Sequence, residues 1–139
     1  MSITYEEFIE RLANAGGLIA WNTRFALTKG SLRMEADAKR NATYFPRVQT
    51  GRLRNSIMAG ALKIGNETGL VLRAGGLSTP TRPFTESADV VYAAIQEYGG
   101  GPQRIKEKRY LNRAFEKNLP KTEKMLDAAF LAALRGKKL

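Results

Sequence analysis

Residues 57–64 read Ile57-Met58-Ala59-Gly60-Ala61-Leu62-Lys63-Ile64, residues 65–69 read Gly65-Asn66-Glu67-Thr68-Gly69, and residues 70–74 read Leu70-Val71-Leu72-Arg73-Ala74. Two apolar-rich runs separated by turn-forming residues predict a β-hairpin. Alternation in the second run is imperfect, since Val71 is apolar between Leu70 and Leu72. Apart from a short strand at residues 90–91, everything on either side of this hairpin reads as helix or loop, so the fold class follows from it. The expectation is α+β, a small antiparallel sheet packed by N-terminal and C-terminal helices, with long loops.

Upstream, Thr4 can cap a helix whose first turn holds Glu6 and Glu7, where negative charge suits the positive end of the helix dipole. Tyr5, Phe8, Ile9 and Leu12 recur at the spacing of one helical face, and Gly16-Gly17 predicts the end of that helix. A second helix is expected over residues 18–42, with Ile19, Phe25, Leu32 and Ala36 among its apolar positions and a break or kink at Gly30. Tyr44-Phe45-Pro46 closes it, because the residue before a proline is pushed out of helical space.

Residues 43–55 read as a polar, basic connection. Downstream of the hairpin, residues 75–89 read as a long loop containing Gly75-Gly76, Pro80 and Pro83, and a loop of that length is more often functional or disordered than passive. Residues 90–91 read as a short strand and 92–98 as helical turns that stop at Gly99-Gly100-Gly101-Pro102. A last helix is expected from about residue 111, interrupted near Pro120 and continuing over 121–134. Met125, Ala129, Leu131 and Leu134 are its candidates for burial, and residues 135–139 read as a frayed tail. The expected organisation is a single domain over 1–139: a helical region (1–42), sheet and loops (43–110), and a C-terminal helix and tail (111–139).

Chemistry is bounded by what is missing. The 139 residues include no cysteine and no histidine, which removes thiolate nucleophiles, disulfides and the commonest general base and metal ligand. No paired carboxylates or Ser/Lys set stand at a catalytic spacing, so the expectation is a protein that is not an enzyme and uses no cofactor or metal. The glycines at 99–101 lack the Gly-Lys-Ser/Thr ending of a phosphate-cradling loop. The longest apolar stretch, around residues 128–134, is far short of the roughly 20 residues that span a bilayer, so no membrane partner is expected.

The formal net charge is +10 and it is uneven. Residues 24–63 carry nine Lys/Arg against two Asp/Glu, and residues 101–139 carry eleven against four. Two basic segments on a slightly acidic frame suit a phosphate backbone or an acidic protein partner.

Thr50-Gly51-Arg52-Leu53-Arg54-Asn55-Ser56-Ile57 admits a local reading, a Thr50 N-cap on a short turn with Leu53 buried and the arginines exposed. Tyr92-Ala93-Ala94-Ile95-Gln96-Glu97-Tyr98-Gly99-Gly100 reads as an amphipathic turn with Ile95 and Tyr98 inward and Gly99 as a left-handed cap. Taken in order, and followed by Lys108-Arg109-Tyr110-Leu111 entering a helix, these segments resemble the tail-completion or head-tail joining proteins of tailed bacteriophages. That family has a "TGRLR-S-I" strand start, a "YA-x-x-x-E-aromatic-G" turn and an "RPFL"-like helix start. The likeness covers residues 34–130, and Tyr110 stands where the last motif has proline.

The resemblance implies a structural virion protein, assembled in the bacterial host cytoplasm and located in the neck. There it would form a homo-oligomeric ring around the channel for double-stranded DNA, between head-connector and tail-tube or terminator proteins. The interface residues it implies are Phe45, Thr50, Arg52, Leu53, Arg54, Glu97, Arg109 and Tyr110. In that reading Arg52 and Arg54 pair with a neighbour's carboxylates while Phe45 or Leu53 fills a pocket there. Tail-terminator and head-closure roles are variants of the same reading. The rival is a small basic nucleic-acid-binding protein that uses the two basic segments on a duplex, without a recognition-helix arrangement or an aromatic stacking platform. Residues 104–110 are its candidate DNA-contacting strip, in which Tyr110 permits stacking.

Overall fold

The first helix, α1 (Tyr5–Tyr44), is 40 residues long and runs without interruption. Thr4 and Glu7 open it with a reciprocal capping box. The Glu7 N–H donates to Thr4 Oγ1 at 3.3 Å, and the Thr4 N–H donates to Glu7 Oε2 at 3.1 Å. The break expected at Gly16-Gly17 is absent, and neither glycine has a neighbouring atom within 4 Å of an added Cβ. Two helical glycines cost about 1 kcal/mol each relative to alanine, and the packing of the rest of α1 exceeds that. In this computed structural model the described residues are 4–44, 51–75, 93–100, 104 and 106–139, without the side chains of Arg52 and Ile64.

After α1 come the short α2 (Arg52–Asn55), the hairpin strands β1 (Met58–Ile64) and β2 (Glu67–Arg73), the short α3 (Ala93–Tyr98) and the long α4 (Tyr110–Leu134). The architecture is α+β, with two long helices flanking a two-stranded antiparallel sheet. Met58 pairs with Arg73 and Ile64 with Glu67, so the turn is the two residues Gly65-Asn66 rather than the five expected. Gly65 at φ 61° supplies the positive φ that the first position of such a turn requires. The expected strand over 90–91 and most of the loop over 75–89 lie outside the described residues.

α1 and α4 form an antiparallel pair along a seam of small side chains. On α1 the buried residues include Ala26, Gly30, Met34, Ala38 and Ala42, and on α4 they include Ala114, Asn118, Thr122, Ala129 and Ala133. These recur mostly four apart, the row that packs into the matching row of a neighbouring helix. Gly30 is a point of close approach. A Cβ added there would lie 2.6 Å from Thr122 Cγ2 and 2.7 Å from Thr122 Oγ1. Gly30 therefore admits the neighbouring helix, and α1 continues through it where a break was expected.

This seam corrects the sequence-based core. Phe25, Leu32 and Ala36 lie on exposed sides of α1 and Ile19 is half-buried, as is Met125 on α4, while Leu131 and Leu134 are exposed. Of the candidates on the last helix only Ala129 is fully buried, and it faces α1. Pro120 does not interrupt α4. A proline inside a helix costs about 3 kcal/mol, but Asn118 and Thr122 on either side of it are both held in the seam. Asn118 donates to Asp37 Oδ2 at 2.8 Å and to the Ala114 carbonyl at 2.9 Å, and Thr122 Oγ1 donates to the Asn118 carbonyl at 3.0 Å.

The C-terminal segment is pinned, contrary to the expected fraying. Gly136, at φ 70°, sends its N–H to Ala133 O at 2.9 Å, and Lys137 sends its own to Ala132 O at 2.8 Å, the paired bonds of a Schellman motif. Fully buried Asn22 then clamps the end. Its Nδ2 donates to the carbonyls of Ala129 (3.2 Å) and Lys137 (2.9 Å), and its Oδ1 accepts from the Leu139 N–H (3.0 Å). Lys138 lies 3.9 Å above the Trp21 ring, within cation–π range.

Asp37 carries the polar end of the seam. The hydrogen bond from Asn118, followed by Lys117 at 3.2 Å and by Arg40, holds its carboxyl below the ordinary aspartate value, outweighing the opposing effect of burial. A depressed native pKa adds stability above the unfolded value of about 3.9 and loses it as the pH falls through the native value. Asp37→Asn is therefore expected to melt below wild type at pH 7, with the gap narrowing below about pH 4. A gap unchanged between neutral and strongly acidic pH, in thermal melts followed by circular dichroism, would contradict this role.

Candidate subunit interface

The small core beside the seam joins the hairpin to both long helices. Ala38, Ala42, Leu53, Ile57, Ala93, Tyr110 and Ala114 form it, with Leu72, Ala74 and Leu111 against its edge. Two of its members, Leu53 and Tyr110, are residues that the resemblance assigns to an interface. Leu53 is 5% exposed and Tyr110 is 0% exposed, with the Tyr110 hydroxyl 3.4 Å from the Ala93 carbonyl it donates to. Neither can reach a neighbouring subunit or stack on a base, because the core removes both from the surface. The rival nucleic-acid reading thereby loses its stacking residue.

The segment around Leu53 is a joint in the fold. Gly51 takes φ 73° as the chain enters α2, whose Asn55 N–H returns to Gly51 O at 2.9 Å. Buried Ser56 Oγ donates to the Leu53 carbonyl at 2.7 Å and accepts the Gly75 N–H at 3.0 Å, which ties the end of β2 to α2. Glu35 of α1 accepts the outward Ala59 N–H of β1 at 2.8 Å, so a helix side chain covers that point of the sheet edge. Arg54 is exposed; Phe45, Thr50 and the Arg52 side chain lie outside the described structure.

Glu97 makes a second joint. Its two carboxylate oxygens accept the N–H groups of Leu111 (2.9 Å) and Asn112 (3.0 Å), the second and third residues of α4. Arg109, the residue at the N-cap, sits at φ 50° and supplies no side-chain cap of its own. A buried glutamate from α3 therefore does the work of an N-cap, placing negative charge on the helix dipole and satisfying two orphan donors. The backbone docks in parallel, Lys108 N–H to Gln96 O at 3.0 Å and Arg109 N–H to Glu97 O at 3.1 Å. Gly99 caps α3 at φ 78° as expected, but Tyr98 points outward at 79% exposure and Ala93 and Glu97 are the buried residues of the turn. The Arg109 side chain is exposed and pairs with Glu116 at 3.3 Å.

Of the eight residues implied as interface, the described structure thus leaves Arg54 and Arg109 on the surface and uses Leu53, Glu97 and Tyr110 inside. The surface that sequence reasoning passed over is apolar. Because the helices meet through small residues, large ones point away, and they include Phe8, Trp21, Phe25, Leu32, Phe115 and Phe130. The signal was present in the four-residue spacing of Ala, Gly, Ser, Asn and Thr, which marks the buried face once large residues are not assumed to occupy it.

Next to the Glu97 joint lies an open groove of about 380 Å³. Leu70, Val71 and Leu72 of β2 line it together with Glu97, Tyr98, Leu111, Asn112 and Phe115. The chain that follows α3 and enters α4 is basic, with Lys106, Lys108, Arg109 and Arg113 against Glu107. The Lys108 and Arg109 backbones bond to Gln96 and Glu97 beside the groove, and the Arg109 side chain is paired with Glu116. Among the described residues no cluster of three or more His, Cys, Asp or Glu side chains is placed to hold a metal ion. Among the same residues no helix is long and apolar enough to cross a membrane. No family model, curated protein or solved structure matches this chain.

The Glu97 joint has a direct consequence. Glu97→Ala is expected to lower unfolding stability by about 2–4 kcal/mol, through loss of two charge-assisted bonds and exposure of a bare helix end. Glu97→Gln, which keeps an acceptor but no charge, is expected to fall between. Urea denaturation decides it, and an Ala variant as stable as wild type would show that the cap is dispensable.

Proposed function

We propose that the chain is a structural virion protein of a tailed bacteriophage, forming a neck ring that joins head to tail around the DNA channel. Its partners in this reading are copies of itself, the head-connector and tail-tube or terminator proteins, and the duplex that passes through the ring. The observation that carries the reading is the exposed apolar surface. Fifteen large apolar side chains among the described residues remain substantially exposed on a chain of 139 residues. Four of them, Tyr5, Phe8, Ile9 and Leu12, share one face of α1, and contiguous apolar surface marks interaction sites on soluble proteins.

The sequence resemblance gives the kind of assembly, and the joints at Ser56 and Glu97 supply a physical reason for those motifs to persist as fold elements. Cyclic assembly through two different patches per subunit closes a ring without a chemical step. The basic segments then line or flank a duplex by charge alone, with no stacking platform required.

Sedimentation of the purified chain with and without short duplex DNA tests the proposal, with negative-stain images of the products. The expected result is a closed oligomer of one size, formed without DNA and showing an open centre. A chain that stays monomeric and forms salt-sensitive complexes with duplex would instead establish the nucleic-acid-binding reading.

A further inference from the structure

The first ten residues of α1 have no buried member; burial begins at Ala15. At 1.5 Å per residue they project about 15 Å beyond the helical pair. On this projection Tyr5, Phe8, Ile9 and Leu12 are 76%, 51%, 46% and 49% exposed. Their spacing is i, i+3, i+4, i+7, the anchor pattern of a helix that lies in an apolar groove. Four side chains of this size offer roughly 400–500 Å², more than half of the approximately 800 Å² each partner gives to a standard interface. The projection is also the acidic part of a basic protein, with Glu6, Glu7 and Glu10 against Arg11.

The groove can receive it: Leu70, Leu72, Tyr98, Leu111 and Phe115 supply apolar contact beside the polar Glu97 and Asn112, and the basic residues Lys108 and Arg109 are held next to it by backbone bonds to Gln96 and Glu97. It stands at the opposite end of the molecule. α1 and α4 are antiparallel, with Asn22 bonded to Ala129 and Asn41 to the Tyr110 carbonyl. Leu12 is therefore separated from the groove end of α1 by 29 helical residues, about 40 Å. A continuous helix cannot fold its own N-terminus into its own groove, so the complementary occupant is another copy.

We infer that residues 5–12 of one subunit dock into the groove between β2, α3 and α4 of the next, making a head-to-tail contact. This deepens the ring reading above and rests on it, since a heterologous contact that repeats closes into a ring when its rotation allows. Charge sets direction and register, with the glutamates of the projection meeting Lys106 and Lys108 of the neighbour.

Two double variants on exposed positions test the contact: Phe8→Glu with Leu12→Glu on the projection, and Tyr98→Glu with Phe115→Glu on the groove. Circular dichroism melts establish that each is folded, and Ala substitutions at the same positions serve if the Glu versions are not. Each variant alone is expected to sediment as a monomer. Mixed in equal amounts they are expected to form a dimer and nothing larger, because one intact projection and one intact groove remain. A monomeric wild type would overturn both the contact and the ring. A wild-type ring that survives either double variant, or a mixture that stays monomeric, would overturn the contact and leave the ring reading standing.

Discussion

The approach of α1 to α4 at Gly30 and Thr122 is the constraint on which the rest of the molecule depends. Two helices that touch at a glycine favour small or compact side chains between them. The buried residues there are mostly alanines, with Gly30, Asn118, Thr122 and Asn22, and with Leu27 and Met34 as larger apolar members on α1. Buried polar groups in such a seam must find partners. They do so in an orderly way, Asn22 holding the C-terminal segment, Asn118 holding Asp37, and Thr122 bonding back to its own helix. The consequence for the surface is direct. Large apolar residues on both helices have no place in the seam and face outward, so a fold stabilised by close backbone approach is also one that carries unspent apolar area.

The hairpin and short helices are attached to this pair by two polar joints. Ser56 links α2 to the end of β2, and Glu97 links α3 to the start of α4. Each satisfies backbone donors that would otherwise be buried without partners, and each lies in a motif that the sequence made conspicuous. Those motifs therefore act through the fold. By fixing α3 against α4 and β2 against α2, they define the groove between β2, Tyr98 and Phe115.

What could be read from the sequence was local. The Thr4 cap, the hairpin and the glycine cap at Gly99 each rest on residues within a few positions of one another. The misreadings came from treating local propensity as decisive. Gly16-Gly17 and Pro120 cost a few kcal/mol in sum, which long-range packing outweighs. The resemblance assigns Tyr110 and Leu53 to an interface, although the local reading of residues 50–57 has Leu53 buried, as it is; the burial of both depends on Ala38, Ala42 and Ala93 far away in the chain. Conversely, Tyr5, Phe8, Ile9 and Leu12 were legible as a face but not as an uncovered one, since the length of α4 relative to α1 decides that.

The central claim is that apolar faces excluded from the seam are covered by copies of the same chain. Amide hydrogen exchange measured below and above the concentration of self-association tests it most directly. Residues 26–42, held in the seam, are expected to be protected at both concentrations. Residues 5–14 are expected to exchange rapidly when dilute, for want of any packing partner, and to gain protection of at least tenfold on association. Equal protection of residues 5–14 at both concentrations, in a sample that demonstrably associates, would contradict the account.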